Sequence, residues 1–543
     1  MTATMARPRP DSQPDERDGF GRILRAEWTK FRTVRGWVIA TVIAAVLMDL
    51  VGLFAGGQSN ISCNNGPGPA KTGAACIPPV PLGPGGEPVT DSFYFVRQPL
   101  TGNGSITVRV TSLTGRYGGG YGPANAAGGA GGPGAVAGNH LGVQPWSKAG
   151  IIIKQSTREG SAYAAMVVTG TQGVRMQYDF THDIAGLPGA VSARSPRWLR
   201  LTRSGDTITG YDSADGSHWD KVATVTLAGL PATASIGLFA TSPAYQSLSQ
   251  FLGGTTGQVG PSLATGVFDH VSLSGGRPGA PWAGDDVGNQ DAFGPQTGQL
   301  ETFRQAGGRF TVTGSGDIAP QVPGGGGPSS TIEDHLSGAF AALIVMVVIG
   351  AMFMTAEYRR GLIRTTLAAA PRRGRVLAAK AIVIASVTFA AGLIAAVVAV
   401  AVGVRLSRDQ GTFVFPVSWL TWLRVVAGTA ALLAVATVLA LALATMLRRS
   451  AAAVTAAIVV IVLPFILGVA EVLPSGAAEW LLRVTPAAAF AIQQSVPAYP
   501  QVTASYTPPT YFPLSPWAGF GVLCGYTALA LGLAVFLLRR RDA

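Results

Sequence analysis

The residues with the most chemical potential sit together in EYRRGLIRTTLAAAPRRGRVLAAKA, residues 357–381, between two long apolar runs. Arg359, Arg360 and Arg364 can share one side of a short amphipathic helix over Glu357–Thr366, with Leu362 and Ile363 on the other. The chemistry on offer is charge recognition, either of an acidic protein surface or of anionic lipid headgroups. Lipid anchoring is worth about 1 kcal/mol per basic residue near such a surface. That accounts for the arginines but leaves Glu357, Gly361 and Pro371 unexplained, which favours a partner protein.

Other chemistries find less support. Asp179, Asp206, Asp212, Asp215 and Asp220 fall mostly at expected turns, so no catalytic carboxylate pair emerges. No G-x-x-x-x-G-K-[ST] phosphate loop occurs, and nothing in the chain suggests a bound cofactor. Cysteine spacing gives no metal site: Cys63 and Cys76 lie in a Pro/Gly-rich segment, where an oxidising compartment would let them close a loop, and Cys524 lies in an apolar run. Asp49 is the one acid well inside an apolar run, a costly position in lipid. It is a candidate for a transport path or for a polar contact between helices. Trp146, Tyr163, Trp198 and Trp219 can stack on sugar faces if exposed, or simply pack a core.

The elements that position these groups follow from composition. The 543 residues are 48 % hydrophobic and only 13 % charged, with a net charge of +12 and a mean hydropathy of +0.34. That balance indicates a membrane protein. The positive charge lies beside apolar segments and not in a nucleic-acid-binding pattern, so no nucleic acid is expected as a partner. Six runs reach the roughly 20 residues a helix needs to cross the hydrocarbon: 37–56, 336–356, 380–404, 423–447, 451–470 and 517–538. Arginine and lysine are retained on the cytoplasmic side. Arg22 to Arg35, Arg359 to Arg375, Arg448 with Arg449, and Arg539 to Arg541 all fall on one side of six spans. Both termini are then cytoplasmic, and 57–335 lies outside the cell.

Four regions result. A cytoplasmic leader, 1–36, carries an interfacial helix with Leu24, Trp28 and Phe31 at helical spacing, Trp28 being suited to the lipid headgroup zone. A first span, 37–56, precedes an outer segment, 57–335, with strands expected at 105–110, 150–155, 163–168, 174–179, 198–203, 207–212, 221–227, 235–240 and 266–273. Alternation and turns make that segment a β-sandwich; its Gly-rich stretch 115–138 reads as a flexible loop. Residues 336–543 then form five further spans, with the basic segment 357–375 inside the cell. Pro464 is expected to bend the fifth span, and Glu471 to Val496 to form short outer helices.

Two resemblances cover different parts of the chain. The spans, with AEWTKFRTVRGW before the first and the Glu357, Gly361, Pro371, Arg373, Lys380 pattern after the second, resemble the permease subunit of ABC-2 type transporters over 21–56 and 336–543. That resemblance implies an exporter subunit in the plasma membrane, working with a second permease copy or homologue and with separate ATPase subunits that bind ATP. Glu357, Arg359, Arg360, Gly361, Arg364 and Thr365 would then belong to the segment docking on the ATPase. The outer strands resemble a concanavalin A-like jelly roll, through FYFVRQPLTGNGSITVRV, WSKAGIIIKQS, PRWLRLTRSGDTITGYDSADGSHW and FDHVSL. In such domains a strand like RFTVTGSGDI comes first, whereas here it stands at 309–318, which implies a circular permutation. Cell-wall glycan is a candidate ligand. The rival readings are a membrane-anchored glycan-binding sensor or adhesin, which one span would hold as well as six, and a membrane enzyme acting on an outer polymer, which lacks a catalytic constellation.

Overall fold

The computed structural model describes residues 19–56, 62–63, 71–72, 80–118, 140–251, 254–276, 280–288, 301–322, 329–359, 361, 372–469, 473–502, 511 and 513–540. The expected Cys63–Cys76 pairing, the tip of the Gly-rich loop, and Arg360, Arg364 and Thr365 lie outside what is described.

Among the described residues, six helical stretches are long and apolar enough to cross a membrane: Arg35–Phe54, Asp334–Arg359, Arg373–Asp409, Trp419–Leu447, Ser450–Val469 and Pro516–Arg540. The helices are α1 (Gly19–Thr33), α2 (Arg35–Gly56), α3 (Ala339–Arg359), α4 (Arg373–Asp409), α5 (Trp419–Leu447), α6 (Ser450–Ala457), α7 (Leu463–Val469), α8 (Ser475–Val484) and α9 (Pro516–Arg540). α5 is the hub, packed against α3, α4 and α9. Small residues permit that packing: a side chain at Gly350 would collide with the Thr437 carbonyl, and Ala436, Ala440 and Ala444 are fully enclosed. Between α6 and α7 the chain forms a π-helical turn, Ile458–Val462. Pro464, which has no N–H to give, follows it, and the widened turn takes up the lost hydrogen bond within one apolar span.

The β-domain is organised by one very long strand, β1 (Phe93–Tyr117). The others are β2 (Lys148–Lys154), β3 (Tyr163–Thr169), β4 (Val174–Tyr178), β5 (His182–Ala185), β6 (Arg197–Ser204), β7 (Thr207–Ser213), β8 (Asp220–Thr226), β9 (Thr233–Thr241), β10 (Ser262–Gly276), β11 (Ala283–Val287), β12 (Thr302–Ala306) and β13 (Arg309–Gly314). Pairing is antiparallel in the order β8-β7-β6-β1-β9-β2-β3-β4-β5, with β10 and β11 on the other edge of β1 and β13 between β10 and β12. Along one edge, β1 pairs with β9 over Tyr94–Thr101 and then with β6 over Gly104–Val110. The strand turns from one layer to the next at Gly102, whose φ of 72° suits glycine, and Gly104, where a side chain would strike the Ser274 carbonyl. The alternation signal marks only residues 105–110 of β1, and Gly115–Tyr117 continue the strand into the expected loop.

Val96, Leu100, Ile106, Val108, Ile151, Ile153, Met166, Leu199, Leu201 and Leu238 fill the space between the layers. The sheet around β2 is also covered on its other face, by Phe93, Phe95, Ile152, Tyr163, Phe180, Phe239 and Ile318. β2 and β3 are therefore buried at every position. The same covered face encloses two lysines of β2. Lys148 Nζ lies 2.7 Å from Asp317 Oδ1, and Lys154 Nζ lies 2.6 Å from Asp91 Oδ2, all four side chains being closed to solvent. These aspartates belong to the two threads that join the domain to the helices: Val89–Asp91 and Ile318–Pro320 run antiparallel, side by side. The domain rests on the helical part through Ala319, Val322, Val496 and Val502, and through Gln501, whose amide donates to the Phe180 carbonyl at 3.2 Å.

Removing one partner of a buried ion pair strands the other charge, at a cost of about 3–5 kcal/mol. Lys154→Met should therefore make the β-domain of the intact protein melt or proteolyse at markedly lower temperature, while Lys154→Met with Asp91→Leu recovers most of the loss. Equal resistance of the wild type and the single variant in thermal proteolysis would contradict this account.

Candidate functional site

At the end of the bundle away from the β-domain, four charged side chains meet. α1 brings Glu27 and Lys30 three residues apart, on a helix whose Phe31 is also buried while Trp28 remains 46 % exposed. The last turn of α3 brings Glu357, and the second turn of α4 brings Lys380. Lys380 Nζ lies 2.6 Å from Glu27 Oε2 and 2.6 Å from Glu357 Oε1. Lys30 Nζ lies 2.8 Å from Glu27 Oε1 and 3.0 Å from Glu357 Oε1. Two carboxylates thus face two ammonium groups, and the cluster carries no net charge. Burial works against the charge on Lys30, but Glu27 and Glu357 more than offset it and hold its pKa above the ordinary lysine value. Phe353 packs beneath, its ring 4.9 Å from Lys380 Nζ and in edge contact with Phe31 and Trp37.

Glu357 and Lys380 flank the basic stretch from both sides, so the cluster ties the leader helix to both ends of that stretch. Tyr358 carries Arg448 over its ring at 5.5 Å, and Arg373 Nη1 donates to the Leu538 carbonyl at 2.7 Å, adding α5 and α9 to the same floor. α3 ends beyond Arg359, and Gly361, exposed with φ 68°, turns the chain away.

Several expected site residues are placed differently. Glu357 is turned inward and only 7 % exposed, so it braces the segment and offers nothing to an outside surface. Arg359 and Gly361 are exposed. Leu24 and Phe31 pack on the bundle, whereas Trp28 points away from it. Asp49 sits on α2 beside the contact of Met48 and Gly52 with the segment around His335; its Oδ1 is buried and has no hydrogen-bond partner. Trp146 and Tyr163 are closed into the sandwich at 2 % and 1 % exposure, because the sheet is covered on both faces, and they cannot meet a glycan. Trp198 and Trp219 are half-exposed, but Arg200 already lies 3.8 Å over the Trp219 ring and Arg109 5.7 Å over Trp198. A sugar would have to displace those guanidinium groups.

Glu27 is the member the sequence reading missed. Its signal was present: an acid at i and a lysine at i+3, on a helix leading directly into a span. Arg424 was missed too. It stands near the start of an apolar span, where a lone arginine gave no signal of its partner.

Six membrane-length helices beside an antiparallel β-domain fit a multi-pass membrane protein. Residues 158–543 match the family described as ABC-2 family transporter protein, and the chain belongs to that family. The match spans part of the β-domain as well as the helices from α3 onward. No curated protein matches the chain. Among solved structures, a functionally unknown protein from Saccharomyces cerevisiae is 15 % identical, covering 34 % of this chain and 75 % of that one at a TM-score of 0.20. Scytalido-glutamic peptidase with a peptide-based transition state analog is 8 % identical, covering 42 % and 98 % at 0.22. At such scores neither likeness bears on fold or activity.

Lys380→Met leaves Glu27 and Glu357 with Lys30 alone between them, one buried negative charge uncompensated, of the kind that costs about 3–5 kcal/mol. The purified protein should melt earlier and α1 should become protease-sensitive. Adding Glu27→Gln, which leaves Lys30 paired with Glu357, should restore much of the stability. Unchanged melting of Lys380→Met would exclude a bracing role.

Proposed function

We propose that this chain is the membrane-spanning permease subunit of an ATP-driven exporter, with ATP bound and hydrolysed by a separate ABC ATPase subunit. Family membership supports a transport role, and the sequence holds no phosphate loop of its own. The observation that carries the reading is the brace of Glu27, Lys30, Glu357 and Lys380. It fixes both flanks of the basic segment 357–375 to the leader helix, so a push on that segment reaches α1, α3 and α4 together.

In this reading the basic segment and both termini are cytoplasmic, as the distribution of arginine and lysine favours. Arg359, Arg360, Gly361, Arg364 and Thr365 meet the ATPase, while Glu357 positions them from behind. The domain within 57–335 is an extracellular, circularly permuted concanavalin-like sandwich seated over the outer ends of the helices, and a second permease copy or homologue completes the transporter.

Purification in mild detergent from the native membrane should recover an ABC ATPase with the wild type. Arg364→Glu should reduce that recovery several-fold without changing the melting temperature. A cysteine at Gly361 should react with membrane-impermeant maleimide only after the cells are opened, and one at the exposed Ser217 in intact cells. Labelling of position 361 from outside, or a chain that never carries an ATPase, would overturn the proposal.

A further inference from the structure

A second built site lies at the opposite end of α3, roughly 30 Å from the brace at 1.5 Å per helical residue. Glu333 stands just ahead of that helix. Its Oε1 accepts hydrogen bonds from the Tyr511 hydroxyl and from the Ser495 N–H at 3.2 Å. Its Oε2 is buried and has no hydrogen-bond partner among the described residues. The residue lines a cavity of about 270 Å³ whose walls include Phe465, Val469, Leu482 and Phe490, with Gln493 and Tyr511 as polar neighbours. Among the described residues, Glu333 is the one charged group lining that cavity.

Arg424, a cation that senses the charge of Glu333, is held apart from it. Arg424 Nη2 donates to the Gln494 carbonyl, and the Ser495 N–H that serves Glu333 belongs to the same peptide group. A guanidinium and a carboxylate therefore grip the two ends of one peptide, with its dipole aligned between them. Arg424 lines the neighbouring cavity formed with Phe389, Leu420 and Trp517, on the far side of that peptide. Burial raises the pKa of Glu333, and the side-chain hydroxyls of Ser495 and Tyr511 oppose that rise. A buried carboxylate oxygen with no donor is expensive. What the cavity lacks is one positively charged donor carried on a small apolar body.

We propose that this cavity binds an amphipathic amine, a protonated nitrogen on Glu333 Oε2 with its hydrocarbon body against Phe465, Leu482 and Phe490. The volume suits an arylalkyl chain and not a large lipid. The site needs no nucleotide, so it stands whether or not an ATPase couples to the chain, and the two ideas fail separately.

The test is equilibrium dialysis of radiolabelled 4-phenylbutylamine against the full chain in nanodiscs of neutral lipid, without nucleotide. Saturable binding should be displaced by unlabelled amine but not by 4-phenylbutanol or 4-phenylbutyrate. Glu333→Gln keeps the shape and removes the charge, and should weaken binding by about tenfold or more, the scale of one charge-assisted hydrogen bond. Val469→Trp, which fills the cavity from its rim and leaves the carboxylate in place, should also abolish saturable binding. Partition with no saturation, equal displacement by the alcohol, or undiminished binding in both variants would overturn the assignment.

Discussion

The constraint on which the inner half of the molecule depends is the neutrality of a buried four-charge cluster. A carboxylate or ammonium group moved out of water loses several kcal/mol of solvation unless an opposite charge meets it in good geometry. Here the geometry requires three helices to arrive at once. Glu27 and Lys30 come from α1, Glu357 from the end of α3 and Lys380 from the start of α4, and Lys380 touches both acids. If any one helix slid by a turn, a charge would be stranded beside Phe353. The leader helix is thereby a structural member of the bundle, with Glu27 and Phe31 inside and Trp28 outside.

The β-domain uses the same device in another setting. Lys148 and Lys154 occupy the two ends of one strand and reach Asp317 and Asp91 on the threads that leave and enter the domain. Hydrophobic burial fills both faces of the central sheet without choosing where the connecting chain must lie. Two enclosed ion pairs bias that choice, because a thread moved away would leave a buried lysine unpaired.

Much of this was legible in the sequence, and the limits are physical. Spans read clearly because lipid tolerates only long apolar helices, and the arginine groups read clearly because they sit beside those spans. The strands β2 to β4, β6 to β9 and part of β10 read from their β-branched runs and turns, whereas the short β5 did not. Partnerships did not: Glu27 and Lys380 are separated by more than three hundred residues, and neither sequence neighbourhood names the other. Trp146 and Tyr163 were open as ligand-stacking residues because a strand pattern cannot say how many faces of its sheet are covered. Arg424 and Glu333 meet through a peptide of a third element, a relation that no pairwise pattern encodes.

The two paired threads at 89–91 and 318–320 have a wider meaning. Because the polypeptide leaves the β-domain beside where it entered, the whole domain hangs from one paired point of the chain, whatever its bulk. A lineage of such proteins is then free to enlarge, exchange or discard this headpiece while the intramembrane scaffold keeps its geometry. The pair of strands is the socket that makes the module interchangeable.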